Sequence, residues 1–277
     1  MLLKNKVIFL TGGTQGIGFE CAKVYHKAGA MLCIISDSEK SIQQAAAVLP
    51  GDDIMFIRAD VSNAKDIKNA IADALKRFGK IDVIHNNAGI SNPSKTADDT
   101  TDEEWNRLFE VNVKGVYNTT KFGVAELKKT KGNILNTGSL VGDIGQENHA
   151  AYSATKGAIN ALTKSMALDY AQFGVRVNAV APAAGHGRRN VGRFPHVIRT
   201  VSRCIDLWLA GHRIFHCCMP RCQQRFREPQ HSDRLPVRLV PLRRQNGSPT
   251  VLSTASDRPS IFRRGLSFVD AGARHPR

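Results

Sequence analysis

The sequence lacks any apolar run of about 18 residues, the length at which a helix begins to be able to cross a bilayer. The amino-terminal stretch MLLKNKVIFLTGG also lacks a small-residue cleavage site and runs straight into a strand pattern, so we expect no signal peptide. Together these absences argue against a membrane protein and favour a cytoplasmic one.

Cysteine is sparse, and the six cysteines are scattered: Cys21, Cys33, Cys204, Cys217, Cys218 and Cys222. Without an expected secretory signal they are interpreted as reduced thiols rather than a disulfide framework. The last three lie near His212 and His216, but they form no paired C-x-x-C, and ligands this crowded rarely close a tetrahedral site. We therefore predict no metal.

Lysine is absent from the last third of the chain. Residues 1–184 hold 17 Lys, 4 Arg and 19 acidic residues, a net charge of +2, whereas residues 185–277 hold 18 Arg, no Lys and 5 acidic residues, a net charge of +13. The 13 Arg of residues 185–250 could contact nucleic-acid phosphates. However, they follow no regular face and few aromatics interleave with them, so no nucleic-acid partner is expected.

Short apolar runs alternate with helical stretches through the first two thirds of the chain. The predicted strands are residues 6–11, 31–36, 54–59, 82–85, 133–137 and 175–180, and the longer predicted helices cover 63–78, 101–129 and 150–172. This alternation predicts an α/β fold, a Rossmann-type doubly wound parallel sheet with helices on both faces. Right-handed crossovers would bring the carboxyl ends of the strands to one edge.

The motif TGGTQGIG at residues 11–18 lies between the first strand and the first helix. A glycine-rich turn there lets the backbone approach a phosphate, which the helix N-terminus then binds. Asp37 ends the second strand, about twenty residues further on, where an acid can bind the ribose hydroxyls of NAD and repel the 2′-phosphate of NADP. The alternative is that Asp37 caps the helix that starts near Glu39.

Tyr152 and Lys156 are four residues apart, so on a helix both side chains lie on one face. Ser139 precedes them at the end of a strand. An ammonium beside a phenol favours the phenolate and lowers its pKa from about 10. Such a tyrosine can exchange a proton with an alcohol or a carbonyl. The alternative for this pair is an aromatic at the core edge beside a solvated lysine.

With these motifs together, residues 5–182 resemble the classical short-chain dehydrogenase/reductase family. TGGTQGIG is similar to the family's TGxxxGxG, residues 86–89 to its NNAG, and Asn112, Ser139, Tyr152 and Lys156 occupy its catalytic tetrad. The resemblance implies hydride transfer to and from NAD, with Tyr152 as acid/base and Ser139 orienting the substrate oxygen. Lys156 would bind the nicotinamide ribose and lower the pKa of Tyr152, and Asn112 would anchor a water of the proton relay. The implied cofactor-binding residues are Gly12, Thr14, Gln15, Gly16, Ile17, Gly18, Asp37, Asp60, Val61, Asn87, Ala88, Gly89, Tyr152, Lys156 and Pro182.

The family pattern breaks after Pro182. Residues 185–250 form an atypical Arg-rich segment where the family has its substrate lid, while residues 251–273 again resemble the family's end. One hypothesis is a reading-frame slip near codon 184 that is restored near codon 250. We expect a single domain over residues 1–277, with this segment inside it.

The predicted function is an NAD-dependent interconversion of a secondary alcohol and a ketone. The alternative is a catalytically impaired or non-catalytic nucleotide-binding protein of the same fold. Residues 140–149 are expected to line the substrate pocket, where Gln146 and His149 would suit a sugar or polyol, although both fit a solvated loop equally well. The resemblance also implies a homodimer or homotetramer built on the helices of residues 101–129 and 150–172.

Overall fold

The computed structural model describes residues 2–182 and the backbone of residues 217 and 218. All of these residues belong to the compact unit Met1–Glu228. The predictions of one domain over 1–277, of an atypical segment at 185–250 and of a family-like end at 251–273 reach beyond these residues and stay predictions.

Seven parallel strands form one sheet in the order β3-β2-β1-β4-β5-β6-β7. The strands are β1 Val7–Thr11, β2 Met31–Ser36, β3 Ile54–Arg58, β4 Val83–Asn86, β5 Asn133–Thr137, β6 Arg176–Ala181 and β7 Cys217–Cys218. The first six match the predicted strands to within one residue at each end. β7 was not predicted; it pairs in parallel with β6. The predicted fold class, a doubly wound parallel α/β sheet, is confirmed.

Helices connect the strands. They are α1 Gly16–Lys27, α2 Glu39–Val48, α3 Ala64–Phe78, α4 Asp102–Phe109, α5 Gly115–Thr130, α6 Val141–Ile144 and α7 Ala150–Ala171. A π-helix, Glu110–Lys114, joins α4 to α5. The sequence predicted one helical region over 101–129, and the structure divides it into three segments.

Local sequence signals fix several of the helix ends. Thr101 and Glu104 form a reciprocal capping box that starts α4. The side chain of Asn63 accepts hydrogen bonds from two backbone N–H groups at the start of α3, and Gly79 ends that helix with a left-handed φ of 75°. These signals determine the residues at which α3 begins and ends and at which α4 begins.

Both faces of the sheet are buried, which explains why its strands read as continuous apolar runs. On β1, Phe9 faces the cluster that contains α3, α5 and α7, while Ile8 and Leu10 face the cluster that contains α1. All three side chains are fully buried. Burial of each stabilises the fold by about 2–3 kcal/mol, so the strand ends are held on a rigid base.

Within the described part of the chain, no helix combines the length and hydropathy that a membrane span needs. No group of three or more metal-ligating side chains occurs among these same residues. His212, His216 and Cys222, weighed above as metal ligands, lie outside the described residues, and for Cys217 and Cys218 the structure gives the backbone alone.

Candidate active site

The carboxyl ends of the strands carry the predicted residues in the spatial order of the sheet. Across it, Asp60 follows β3, Asp37 follows β2, the glycine loop of residues 11–18 follows β1, Asn87 follows β4, Ser139 follows β5 and Pro182 follows β6. The strand order reverses between β1 and β4. In open parallel sheets, ligands bind in the crevice at such a reversal.

The glycine loop has the shape of a phosphate cradle. Gly12 and Gly16 have left-handed φ angles of 62° and 54°, a conformation that glycine adopts without strain. A Cβ on Gly12 would lie 2.8 Å from the Cα of Ala88, and one on Gly18 would collide with the carbonyl oxygen of Gly12. In front of Gly16, by contrast, no described atom lies within 4 Å of a Cβ position.

The N-terminus of α1 opens toward that space. Gln15 occupies the N-cap position, and its side chain makes no capping hydrogen bond with the described residues. The first N–H groups of α1 therefore keep their capacity to bind an anion. A dinucleotide diphosphate fits this cradle. Gln15 and Gly16 are exposed beside it, Ile17 is half-buried, and Gly18 is buried beneath it.

Asn87 holds the glycine loop in place. Its Nδ2 donates to the carbonyl oxygens of Gly12, at 3.0 Å, and Thr11, at 3.2 Å. The backbone N–H groups of Asn87 and Ala88 each donate to Thr11 Oγ1 at 3.1 Å. These four hydrogen bonds join the end of β1 to the end of β4 across the strand reversal.

Asp37 is exposed at the end of β2. Ser38, not Asp37, is the N-cap of α2, since its hydroxyl accepts a hydrogen bond from Ser41 N. The alternative of a capping role for Asp37 is therefore wrong. The Ser41 hydroxyl lies 2.8 Å from Thr14 Oγ1, which links this turn to the glycine loop. Arg58 Nε donates to the backbone oxygen of Asp37 at 3.4 Å.

Asp60 is tied into its own turn. Its Oδ1 accepts hydrogen bonds from Ser62 N at 2.8 Å and from Ser62 Oγ at 2.7 Å. Burial acts to raise the pKa of Asp60, but the hydrogen bonds from Ser62 and the nearby charge of Arg107 outweigh it and hold the pKa below its usual value. Val61 is buried against Gly115. The cofactor contacts expected of Asp60 and Val61 stay predictions.

Lys156 is buried on α7, with 4% of its surface exposed. Its Nζ donates to the carbonyl oxygen of Thr137, the last residue of β5, at 2.8 Å. Burial lowers the pKa of Lys156 to about 8, because an ammonium loses solvation away from water. The alternative of a solvated lysine is therefore wrong.

Tyr152 and Ser139 meet at the end of β5. A hydrogen bond from Ser139 lowers the pKa of Tyr152, but burial raises it by more, so the net direction is upward. Lys156 Nζ lies 5.7 Å from the Tyr152 ring centroid. The Pro182 carbonyl oxygen, 3.4 Å from Ser139 Oγ, is an alternative acceptor for the single hydrogen of that hydroxyl. The lowering of the Tyr152 pKa by Lys156 that the resemblance implies stays a prediction.

Asn112 is fully buried in the π-helix. Its Oδ1 accepts from Ile90 N at 2.8 Å, while its Nδ2 donates to Ile90 O at 2.9 Å and to Thr155 Oγ1 at 3.0 Å. A Cβ on Gly89 would lie 3.1 Å from Asn112 Oδ1 and 3.7 Å from Lys156 Nζ. Asn112 thus fixes the segment after β4 directly beside Lys156.

His149 adjoins the rim from the loop before α7. Its Nδ1 donates to the Glu147 carbonyl oxygen at 2.9 Å, so the neutral ring accepts at Nε2 from Ser94 Oγ, 3.1 Å away. Its ring meets the edge of the Tyr152 ring with centroids 6.1 Å apart. Gln146 is exposed. His149, one of the two residues considered for a sugar or polyol, thus contacts a predicted catalytic side chain.

Sequence reasoning missed the threonines that support these residues. The Thr11 hydroxyl accepts a hydrogen bond from the NNAG backbone. The Thr137 carbonyl oxygen accepts one from Lys156, and the Thr155 hydroxyl accepts one from Asn112. A threonine in a buried strand or helix is common, so its type carries little signal. Thr155 is the one with a positional cue, because it directly precedes Lys156 in the sequence.

The parallel sheet with its strand reversal and the glycine loop at that point define a Rossmann-type nucleotide-binding fold. The sequence model of the short chain dehydrogenase family matches residues 6–188. The chain belongs to this family.

Named relatives and solved structures agree with that placement. An L-fucose dehydrogenase from Bos taurus is 38% identical over 178 residues, which cover 64% of this chain and 65% of that protein. A meso-2,3-butanediol dehydrogenase from Serratia marcescens is 35% identical over 183 residues, covering 66% of this chain and 72% of that protein. A 3-ketoacyl-(acyl-carrier-protein) reductase from Brucella melitensis, complexed with NADH, superposes with a TM-score of 0.64 at 34% identity, covering 66% of this chain and 77% of that chain.

The match does not extend over the whole of these relatives. The chain spans less than two thirds of the length of the four L-fucose dehydrogenases, between 62% and 65%. The part matched by the family model, residues 6–188, contains every predicted site residue.

Proposed function

We propose that this protein is an NAD-dependent oxidoreductase that interconverts a secondary alcohol and a ketone. The observation that carries the proposal is the phenol of Tyr152, hydrogen-bonded to Ser139, with the buried ammonium of Lys156 on the same helix face. Relatives named as dehydrogenases of L-fucose and of meso-2,3-butanediol support a sugar or polyol as the alcohol.

In the proposed reaction Tyr152 moves the proton. Its hydroxyl donates to a carbonyl oxygen during reduction, and its phenolate takes the alcohol proton during oxidation. Ser139 holds the same substrate oxygen by a hydrogen bond. Bound NAD would supply the hydride acceptor, and NADH the hydride donor.

Lys156 would stabilise the phenolate form of Tyr152. Burial raises the pKa of Tyr152, so a positive charge nearby is needed to favour the ionised form. Below a pH of about 8 the Lys156 side chain carries that charge. Its hydrogen bond to the Thr137 carbonyl oxygen keeps the ammonium on the ring side of the rim.

His149 is proposed to face the substrate. Its Nε2 is an acceptor whose present partner, Ser94, is an exposed hydroxyl. A second substrate hydroxyl could take the place of Ser94 at the same nitrogen, which fits a sugar or polyol better than a simple alcohol.

The test is a pair of measurements on Tyr152→Phe. A fluorescence titration with NADH should give an affinity within about 2-fold of wild type, because Phe keeps the ring and removes only the hydroxyl. Turnover of L-fucose or 2,3-butanediol should fall by at least about 100-fold, the usual contribution of a general acid/base. Tyr117→Phe, at an exposed position on α5, is the matched control and should keep full activity.

Two outcomes would contradict the proposal. Turnover by Tyr152→Phe at the wild-type rate would remove the tyrosine from the chemistry. A wild-type chain that binds NADH tightly but oxidises none of a broad panel of secondary alcohols would favour the non-catalytic alternative.

A further inference from the structure

β4 carries a buried histidine between the apolar residues Val83 and Ile84 and the polar Asn86. His85 is fully buried, and both of its ring nitrogens have partners on other elements. Nδ1 lies 3.0 Å from the hydroxyl of Tyr25 on α1, and Nε2 lies 3.1 Å from Thr137 Oγ1 at the end of β5. The ring therefore bridges α1 and β5, the strand whose last carbonyl oxygen accepts the hydrogen bond from Lys156.

The hydrogen bonds around His85 run in one direction. Thr137 Oγ1 donates its single hydrogen to Asn87 Oδ1 at 3.4 Å, so it must accept from His85 Nε2–H. Nδ1 is then the unprotonated nitrogen and accepts from the Tyr25 hydroxyl. Burial keeps the ring neutral, since it lowers the pKa of His85 to about 3.

The Asn87 amide continues this chain of hydrogen bonds to the glycine loop. With Oδ1 held by Thr137, Nδ2 is directed to the carbonyl oxygens of Thr11 and Gly12. If the amide turned over, its oxygen would face those two carbonyl oxygens and repel them. The Gly12 carbonyl oxygen is thus joined to the His85 ring through the side chains of Asn87 and Thr137.

We propose that His85 is a positioning residue for the cofactor loop, which acts by donating to Thr137 and so fixes the Asn87 amide against Gly12. The proposal rests on the proposed function in one respect, that the loop binds NAD. The proposal for His85 goes beyond the proposed function because it assigns a role to a buried side chain that touches neither cofactor nor substrate. It also predicts which substitutions preserve that role.

Two replacements of His85 separate its two hydrogen bonds. Gln extends to the place of Nε2 with an NH₂ group and can still donate to Thr137. Asn is one methylene shorter, keeps an acceptor near Nδ1 for Tyr25, and loses the donor to Thr137. One buried hydrogen bond corresponds to about 3- to 10-fold in a binding constant.

The experiment combines an NADH fluorescence titration with hydrogen–deuterium exchange of the ligand-free full chain. We expect His85→Asn to bind NADH about 3- to 10-fold more weakly and to exchange faster in residues 11–18. His85→Gln should stay within about 2-fold of wild type in both. Thr137→Val, which removes the hydroxyl but not the carbonyl, should behave like His85→Asn and supports the test if His85→Asn fails to fold.

Thr130→Val is the matched stability control. Its hydroxyl donates to Ile81 O at 3.0 Å at the opposite edge of the sheet, so its loss should lower stability without changing NADH affinity or exchange in residues 11–18. Equal effects of Thr130→Val and His85→Asn on the loop would overturn the proposal, as would wild-type exchange in Thr137→Val. If the wild type binds no NADH, the proposed function fails, while the exchange data still decide whether His85 positions the loop.

Discussion

Asp37 is the side chain that we propose decides between NAD and NADP. Asp37 is exposed at the end of β2. The N-cap of α2, a role that the sequence allowed for Asp37, is occupied by Ser38. Arg58 Nε donates to the Asp37 backbone oxygen, so a guanidinium lies at the end of β2, where we propose that the adenosine ribose binds. A carboxylate favours two ribose hydroxyls, whereas a guanidinium favours a 2′-phosphate.

We therefore expect Asp37→Ser to shift cofactor preference toward NADPH. Removing the carboxylate removes both the hydrogen bonds to the ribose of NADH and the repulsion of the phosphate, and it leaves Arg58 in place. Parallel titrations should show NADH binding weakened about 10-fold or more, the size of one or two charge-assisted hydrogen bonds, and NADPH binding strengthened. Asp52→Ser, an exposed acid before β3, should change neither; an unchanged preference in Asp37→Ser would exclude Asp37 as the ribose ligand.

Lys156 opposes the stability of the fold at neutral pH. Burial lowers the pKa of Lys156 from 10.5 to about 8. Below pH 8 the side chain is charged in the folded state, which binds this proton more weakly than the unfolded chain does. The unfolded state binds more protons between pH 8 and 10.5, and stability therefore rises with pH in that window. The shift corresponds to about 3 kcal/mol.

Lys156→Met should consequently be more stable than wild type at pH 7. The gain is up to about 3 kcal/mol from the relieved charge, reduced by about 1 kcal/mol for the lost hydrogen bond to Thr137. Urea unfolding should show this advantage shrinking between pH 8 and 10.5. Lys164→Met, exposed on the same helix, should change stability little. A Lys156→Met variant less stable than wild type at pH 7 would contradict the assigned burial cost.

The sequence was enough to predict that Tyr152, Lys156 and Ser139 lie together. Tyr152 and Lys156 share a helix face because they are four residues apart, and Ser139 lies at a strand end on the same rim. The sequence could not give the direction of the Tyr152 pKa. That direction depends on burial by segments distant in sequence, and such packing leaves no mark in the local pattern.

Among the elements, the π-helix Glu110–Lys114 departs most from the sequence prediction. Periodicity predicted one helix through this region, since the extra residue of a π-turn does not disturb the apolar pattern enough to be read. The polar residue in its middle was the only cue. Asn112 bonds with the backbone of Ile90 and the hydroxyl of Thr155, not with its own helix, so tertiary contacts explain the residue type.

Asn112→Ala should therefore destabilise the protein by about 2–4 kcal/mol, because it leaves buried partners on Ile90 and Thr155 without their hydrogen bonds. It should also lower turnover more than it weakens NADH binding, since the segment it holds lies beside Lys156. Chemical unfolding and steady-state kinetics measure the two effects. Asn106→Ala, exposed on α4, should be nearly neutral, and a fully stable Asn112→Ala would show that the π-helix does not depend on these bonds.

For the whole molecule, the change in composition and the limit of family similarity fall at nearly the same place. The family model matches up to residue 188, and the Arg-rich, Lys-free composition begins near residue 185. The strands, the fold class and the rim could be predicted up to this point because apolar runs, glycines and strand-end residues alternate regularly. From there to about residue 250 the sequence offers no period. The hypothesis of a reading-frame slip stays a prediction that resequencing the DNA would decide.

The helices proposed for self-association carry exposed apolar side chains. Trp105 on α4, Tyr117 on α5 and Leu168 on α7 are 40%, 51% and 60% exposed. Apolar surface of this kind is stabilised by burial against a second copy, and a stable interface removes about 800 Å² from each partner. We therefore predict a homodimer or homotetramer of the 30.3 kDa chain.

Light scattering after size-exclusion chromatography tests this assembly. The wild type should elute with two or four times the chain mass, and Leu168→Glu should shift it toward the monomer, because a carboxylate at the centre of an apolar interface loses its solvation. Val48→Glu alters a side chain on α2 that is equally exposed, at 62%, but outside these helices, and should leave the mass unchanged. A wild-type monomer at every concentration would contradict the prediction, and an equal response of both variants would place the interface elsewhere.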